Sequence, residues 1–345
     1  MSPTRLPVRR TLVIPPRGVV GLLTSLSVFD SLSATGRLVV ALTDTEPASL
    51  IYATLLHLRM RDRPPEDVSE PLCLHRDAGL DFQRLREAGF DEALVLSDRV
   101  ADVRWVTAAG IAKRWGYASG LWPPGGWLRS LLLRPAVSRP AKSPHWVGDD
   151  SRFLLEAMEV PWQRRHTLIF SETWAQVGAE RLERAKIEVG QEPIVGIYVG
   201  KGDADWKRHK AEGAIWPDIR WLELLKQLRK RRPGWRFLLV SGAKELWRCV
   251  KLHEKTGRLH PVIGPDLDLL GIAAVLSHVD LMIGRGDTWP VQLATAVGTR
   301  ICALFDGDAC RLIPPQDEGE PEHLVSTKRL SRLSVDEALD LVTPE

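Results

Sequence analysis

Residues 284–305, GRGDTWPVQLATAVGTRICALF, read as a loop, then a helix of small apolar residues, then a strand. An acid, Asp287, and a hydroxyl, Thr288, stand where the loop turns into the helix. A helix start carries backbone N–H groups without intrahelical partners and the positive end of a dipole, which together suit a pyrophosphate. Thr288 could cap the helix or donate to a phosphate oxygen, and the backbone near 289–291 could cradle that group. Asp287 carries the wrong charge for a phosphate and suits sugar hydroxyls better. The plainer reading is that Asp287 and Thr288 only cap the helix.

Further cations and acids lie near other strand ends. GKGDADWKRHK (200–210) brings Lys201, Lys207 and Lys210, which could stabilise charge growing on a leaving diphosphate or could simply be a solvated loop. Arg17, in PPRG after the first strand, is another candidate for a phosphate or an acceptor. No G-x-x-x-x-G-K-[ST] is present, and GVVG (18–21) is too sparse for a dinucleotide fingerprint. The four cysteines have no C-x-x-C spacing, so neither a structural zinc site nor a disulfide framework is expected. With no His cluster in a suitable loop, neither metal nor cofactor is expected.

The elements that must hold these residues alternate. Apolar strands TLVI (11–14), RLVVALT (37–43) and ALVLS (93–97) are separated by helices near 19–33, 46–58 and 81–88, and a helix near 101–113 follows. Such runs imply a parallel sheet covered on both faces. Residues 118–145 break the rhythm with Pro, Gly and Ser, as an excursion or flap. The grammar then repeats: IVGIYV (194–199), a helix at 218–231, RFLLVS (236–241), a helix near 244–256, PVIG (261–264), a helix near 268–277, VDLMIG (279–284) and RICALF (300–305). SVDE (334–337) has the form of a capping box and opens a last helix. With 345 residues, two domains are expected. They are an α/β pair of Rossmann-like, doubly wound units, 1–170 and 171–330, with a central cleft and a C-terminal helix at 331–345. Ligands of such sheets sit at the carboxyl ends of the strands.

Residues 279–305 resemble the C-terminal signature of glycosyltransferase family 9, the heptosyltransferases. That signature is a strand, then Asp-[Ser/Thr]-Gly-x-x-His-Leu-Ala, a small-residue helix, a Gly and another strand. Here Asp287, Thr288, Trp289, Gln292, Leu293, Ala294 and Gly298 stand in ungapped register with it. PDLDLLGIAAVLSHVDLMIG is similar to the helix and strand ahead of the signature. FLLVSGAKE (237–245) is similar to the family's strand-Gly-x-x-Glu element, WPDIRWLELLKQL (216–228) to its Trp-Pro helix start, and 90–117 to its strand-loop-helix-Gly-Tyr passage. The resemblance implies a GT-B fold and inverting, metal-independent transfer from an ADP-sugar, usually ADP-heptose, to a lipopolysaccharide-core or other glycan acceptor. It puts Ser241, Gly242 and Glu245 beside the donor, with Glu245 on the ribose, and adds Asp287, Thr288, Trp289 and Gln292 to the donor site.

The departures fall on the site. The family's base is an Asp after a Gly in the loop following the first strand, and here those places are Val20 and Gly21. Asp98, at the end of ALVLS, is the candidate replacement, and Arg99 beside it joins Arg17 as a candidate acceptor contact. A general base contributes about two to four orders of magnitude, so its loss matters. Trp289 replaces the family's Gly, Gln292 its His, and Ala214 a Lys ahead of the Trp-Pro. Trp289 could stack on a ligand or could fill the phosphate site. The second functional reading is therefore a catalytically silent relative that binds a sugar nucleotide or scaffolds partner enzymes. A net charge of +3 does not argue for nucleic acid. Lacking a signal-peptide pattern and any long apolar run, the chain is expected to be cytoplasmic. Its basic N-terminal segment allows peripheral contact with the inner membrane.

Overall fold

The computed structural model describes residues 9–44, 49–51, 53–56, 73–75, 82–118, 126–138, 146–168, 171–200, 216–258, 260–264, 266–304, 309–315, 323–326 and 328–343. Lys201, Lys207 and Lys210 lie outside these residues, as do 119–125 and 139–145 of the excursion. The chain divides into two compact units, Met1–Ile169 and Phe170–Glu345.

The first unit holds a six-stranded sheet of β1 (Arg10–Ile14), β2 (Leu38–Thr43), β3 (Cys73–His75), β4 (Glu92–Val95), β5 (Lys113–Tyr117) and β6 (Ala136–Val137). Its order is β3-β2-β1-β4-β5-β6, with every pairing parallel. The second unit holds β7 (Ile194–Tyr198), β8 (Arg236–Val240), β9 (Val262–Ile263), β10 (Leu281–Arg285), β11 (Arg300–Leu304) and β12 (Leu324–Ser326). Its order, β12-β11-β10-β7-β8-β9, is again all parallel. Each sheet therefore runs 3-2-1-4-5-6 by its own strand count, the doubly wound order of a dinucleotide-binding unit. β2 and β7 are buried at every residue, as strands covered on both faces must be.

The second core shows how the elements lock. Trp216 and Trp221 meet edge to face, ring centroids 4.9 Å apart, among Leu224, Leu225 and Leu228. Trp216 Nε1 donates to the Leu333 carbonyl at 3.0 Å. Beyond it the helix Val335–Val342 begins in the expected capping box: Glu337 N donates to Ser334 Oγ at 3.2 Å and Ser334 N to Glu337 Oε2 at 2.9 Å. Cys249 and Cys302 are buried in this core as small hydrophobes, and burial pushes their thiols up to about 11 and about 12.

Three local expectations change. The helix read over 19–33 is two, Gly18–Leu23 and Leu26–Ala34. Thr24 and Ser25 break it by turning their hydroxyls onto the Gly21 carbonyl, at 3.0 and 2.8 Å. The helix read to 113 ends at Ala108, and Gly110, at φ +78°, turns the chain into β5. That strand, KRWGY, has no apolar alternation to betray it; Arg114 holds its start by donating to the Ile111 and Leu132 carbonyls. The short strands β3, β6 and β12 are likewise additions to the elements expected from the sequence.

Candidate functional site

In a 3-2-1-4-5-6 sheet the chain leaves the first and fourth strands in opposite directions, which opens a crevice at their carboxyl ends. In the second unit these strands are β7 and β10. Gly284, near the end of β10, lets the following helix Trp289–Ala296 sit down on the sheet. A Cβ there would lie 2.9 Å from Val291 Cγ2 and 3.3 Å from Tyr198 Cβ.

The polar groups of the β10 exit loop bond to one another. Arg285 grips both oxygens of Asp287, with Nε 2.6 Å from Oδ1 and Nη2 2.7 Å from Oδ2. Thr288 is the N-cap residue, but its hydroxyl donates to the Arg285 carbonyl at 2.5 Å and not into the helix. Gln292, 4% exposed, donates from Nε2 to the Gly286 carbonyl at 2.7 Å and so pins the loop to the helix. Pro290 sits in the first turn, where it removes one of the N–H donors that a phosphate would use.

A second group gathers at the exits of β7 and β8. Trp289 projects from the helix start and meets the Tyr198 ring edge to face, centroids 6.2 Å apart. Gly242 follows β8; a Cβ on it would lie 3.4 Å from Trp289 Cζ2 and 2.7 Å from Glu245 Oε2. The indole and the carboxylate therefore converge on one point above Gly242. Glu245 is 4% exposed and makes no ion pair among the described residues. Tyr198 is 1% exposed, and its hydroxyl has no hydrogen-bond partner of good geometry. Burial first, and then the adjoining Glu245 carboxylate, pushes the Tyr198 phenol well above its ordinary range. One turn on from Glu245, the buried Arg248 ties the neighbouring exits together. Its guanidinium contacts Asp218 Oδ1 at 2.5 Å and donates to the carbonyls of Val199 and, at 2.9 Å, Trp216. Ser241 is fully buried and its hydroxyl donates to the Gly242 carbonyl at 2.8 Å.

The crevice strands of the first unit are β1 and β4. Gly18, at φ +77°, carries the chain from Arg17 into the helix Gly18–Leu23. Gly21 lies under the returning Pro15–Pro16 backbone: a Cβ there would be 2.5 Å from the Pro16 carbonyl oxygen and 2.7 Å from Pro16 Cβ. No side chain fits at the position where the family resemblance calls for an acid. Arg17 is exposed, with Nε 3.9 Å from Asp44 Oδ1. Asp98 and Arg99 are exposed in the loop between β4 and the helix Val100–Ala108. Beneath them Ser97 donates to Asp102 at 2.5 Å, and the fully buried Arg129 donates to the Ser97 carbonyl at 2.8 Å and to that of Tyr117.

Of the residues named from sequence, Gly242, Glu245 and Trp289 meet at one place, with Ser241 underneath. Asp287, Thr288 and Gln292 shape the adjacent loop, and their polar groups are turned inward. Tyr198, Arg248, Arg285 and Arg129 are site residues that motif spacing does not mark. Tyr198 could have been noticed as the one polar ring in the otherwise aliphatic strand IVGIY, and Arg248 as the cation three residues after Glu245. Among the described residues no three His, Cys, Asp or Glu side chains converge as a metal site requires. None of the described helices is long and apolar enough to cross a membrane.

Two doubly wound units of this order define a GT-B α/β protein. Residues 81–320 match the model of glycosyltransferase family 9 (heptosyltransferase), and the chain belongs to that family. Solved structures agree on the fold. The E. coli ADP-heptose LPS heptosyltransferase II is 19% identical with a TM-score of 0.66, covering 96% of this chain and 97% of its own. A family 9 glycosyltransferase from Veillonella parvula is 14% identical with a TM-score of 0.73, covering 97% and 96%. E. coli heptosyltransferase WaaC, solved with ADP-2-deoxy-2-fluoro heptose, is 18% identical with a TM-score of 0.66, covering 96% and 98%. No curated protein matches the sequence.

Proposed function

We propose that the chain is a glycosyltransferase that holds an ADP-linked sugar, heptose above all, in its second unit and passes the sugar to a lipopolysaccharide-core or other glycan acceptor held by the first. One observation carries this reading: the Glu245 carboxylate is buried without an ion pair among the described residues, beside the unpartnered Tyr198 hydroxyl, at the exits of β7 and β8. Buried polar groups left unsatisfied cost about 1–3 kcal/mol each, so a chain keeps them where a ligand completes them. A ribose answers this need, because its vicinal hydroxyls donate to the two carboxylate oxygens. The similar E. coli heptosyltransferase WaaC, solved with ADP-2-deoxy-2-fluoro heptose, supports the choice of donor.

In the reaction the acceptor hydroxyl attacks the anomeric carbon, the bond to the diphosphate oxygen breaks, and ADP leaves. Asp98 takes the hydroxyl proton, Arg17 and Arg99 hold the acceptor, and Lys201, Lys207 and Lys210 offset the charge on the departing diphosphate. For a lipid-linked acceptor the chain would rest against the inner membrane. The exposed Trp127 and Leu131, one helical turn apart on Gly126–Leu132, support that contact.

The contact of Gly21 with Pro16 favours a second reading, a catalytically silent relative that still binds the donor. Calorimetric titration with ADP-heptose, ADP, UDP-glucose and GDP-mannose separates the possibilities, together with a transfer assay. An ADP-sugar should bind selectively, and Glu245→Gln should weaken it at least tenfold. Asp98→Asn should lower transfer by about 10²–10⁴ while leaving binding alone. Undiminished transfer by that variant would remove Asp98 as the base, and binding without any transfer by the wild type would favour the silent reading.

A further inference from the structure

Resting on this donor reading, we infer that Trp289 sets ligand selectivity in the second unit: its indole covers the Glu245–Tyr198 pair and denies a diphosphate the adjacent helix start, so that the nucleoside becomes the anchor. Phosphates at a doubly wound crevice bind backbone N–H groups at a helix N-terminus. Here that start presents a tryptophan at its first residue and a proline at its second. Arg285, the cation of the same loop, is already paired with Asp287 at 2.6 and 2.7 Å. Thr288 and Gln292 are turned onto the carbonyls of Arg285 and Gly286. The exit loop thus turns most of its polar groups onto itself, Asp287 Oδ1 being held by the ion pair alone, and leaves a diphosphate few side-chain donors.

The neighbouring pair is in the opposite condition. Tyr198 Oη is buried without a partner, Glu245 makes no ion pair among the described residues, and the Trp289 ring lies close to both through its edge contact with Tyr198 and its approach to Gly242. Trp289 is half-buried, and no hydrogen bond fastens its indole N–H among the described residues. An edge-to-face contact is a weak tether. The indole can therefore turn aside for a diol that satisfies Glu245 and Tyr198, and can then lie against the ligand's apolar face. In this arrangement selectivity for the phosphates is lost because of one side chain.

The test is calorimetric titration of adenosine and ADP into the full chain and into its Trp289→Gly and Trp289→Ala variants, with circular dichroism to confirm that both fold. Wild type should bind adenosine and ADP within about threefold of each other. Both variants should bind ADP at least tenfold more tightly than adenosine. If wild type already prefers ADP tenfold or more and the variants do not raise that preference, the role given to Trp289 is overturned while the donor reading stands. If neither ligand binds wild type or variants, the donor reading itself fails, and this inference with it.

Discussion

The two units share a strand order and differ in what surrounds one glycine near their strand exits. In the first, the space that a side chain would take at Gly21 is filled by the Pro16 carbonyl, 2.5 Å from an added Cβ. In the second, the space at Gly242 is bounded by the far ends of two side chains, Glu245 and Trp289, at 2.7 and 3.4 Å. Backbone cannot yield without moving an element, whereas a carboxylate or an indole yields by rotating. The space at Gly21 is therefore closed by the chain's own path, and that at Gly242 is covered by side chains that a ligand could move. Sharing a fold does not make the units equivalent in function, since function depends on which atoms occupy the site.

A buried arginine knits the strand exits in each unit, and replacing it should have the largest effect. Arg129 donates to the carbonyls of Ser97 and Tyr117; Arg248 binds Asp218 and the carbonyls of Val199 and Trp216. Arg129→Leu and Arg248→Leu should each lose about 3–5 kcal/mol in urea unfolding, because buried partners are left uncompensated. Only Arg248→Leu should also weaken ADP binding, which would separate the donor side from the rest. Equal effects on binding would erase the distinction between the units.

Acid should act next, and on the second unit. His260 is 4% exposed, lies edge to face against Phe237, and has its carbonyl bonded by the His253 ring. Burial first, then Arg229 and His253, lowers its pKa from 6.5 to about 4. Between these values the unfolded chain binds more protons than the folded one. Stability is therefore complete above about pH 6.5 and falls as pH drops toward 4, by on the order of 3 kcal/mol in total. Guanidinium unfolding at pH 7 and pH 4.5 should show this loss in wild type and a smaller one in His260→Gln.

The sequence disclosed the strands that are apolar on both faces, the repeated α/β grammar and the terminal capping box, because burial and capping leave local patterns. It disclosed the β10 exit through residue types at fixed spacing. It did not disclose KRWGY as a strand, since that segment is held by Arg114 on carbonyls of other elements. Nor could it show that Asp287 would spend its charge on Arg285 two residues earlier, or that Tyr198 would be left without a partner. Both depend on side-chain direction, which spacing along a strand or loop does not fix. The missing acid at Gly21 was legible as a letter; the closure behind it was not, because Pro16 reaches Gly21 only through the turn at Gly18.

The smallest effects test the opening contrast most directly. Gly21→Ala places a methyl against the Pro16 backbone and should cost about 2 kcal/mol, the scale of overpacking that forces backbone to shift. Gly21→Asp should cost at least as much and confer no transfer activity, because the acid cannot enter the crevice without displacing that turn. Gly242→Ala adds the same methyl, but it meets the end of the Glu245 side chain, which can swing away. Its stability loss should stay under about 1 kcal/mol while ADP affinity falls severalfold, since the displaced carboxylate is the ligand's partner. Thermal melts and calorimetry on the three variants would read both quantities. If Gly242→Ala destabilised as much as Gly21→Ala and left binding intact, the space at Gly242 would be as rigidly closed as that at Gly21.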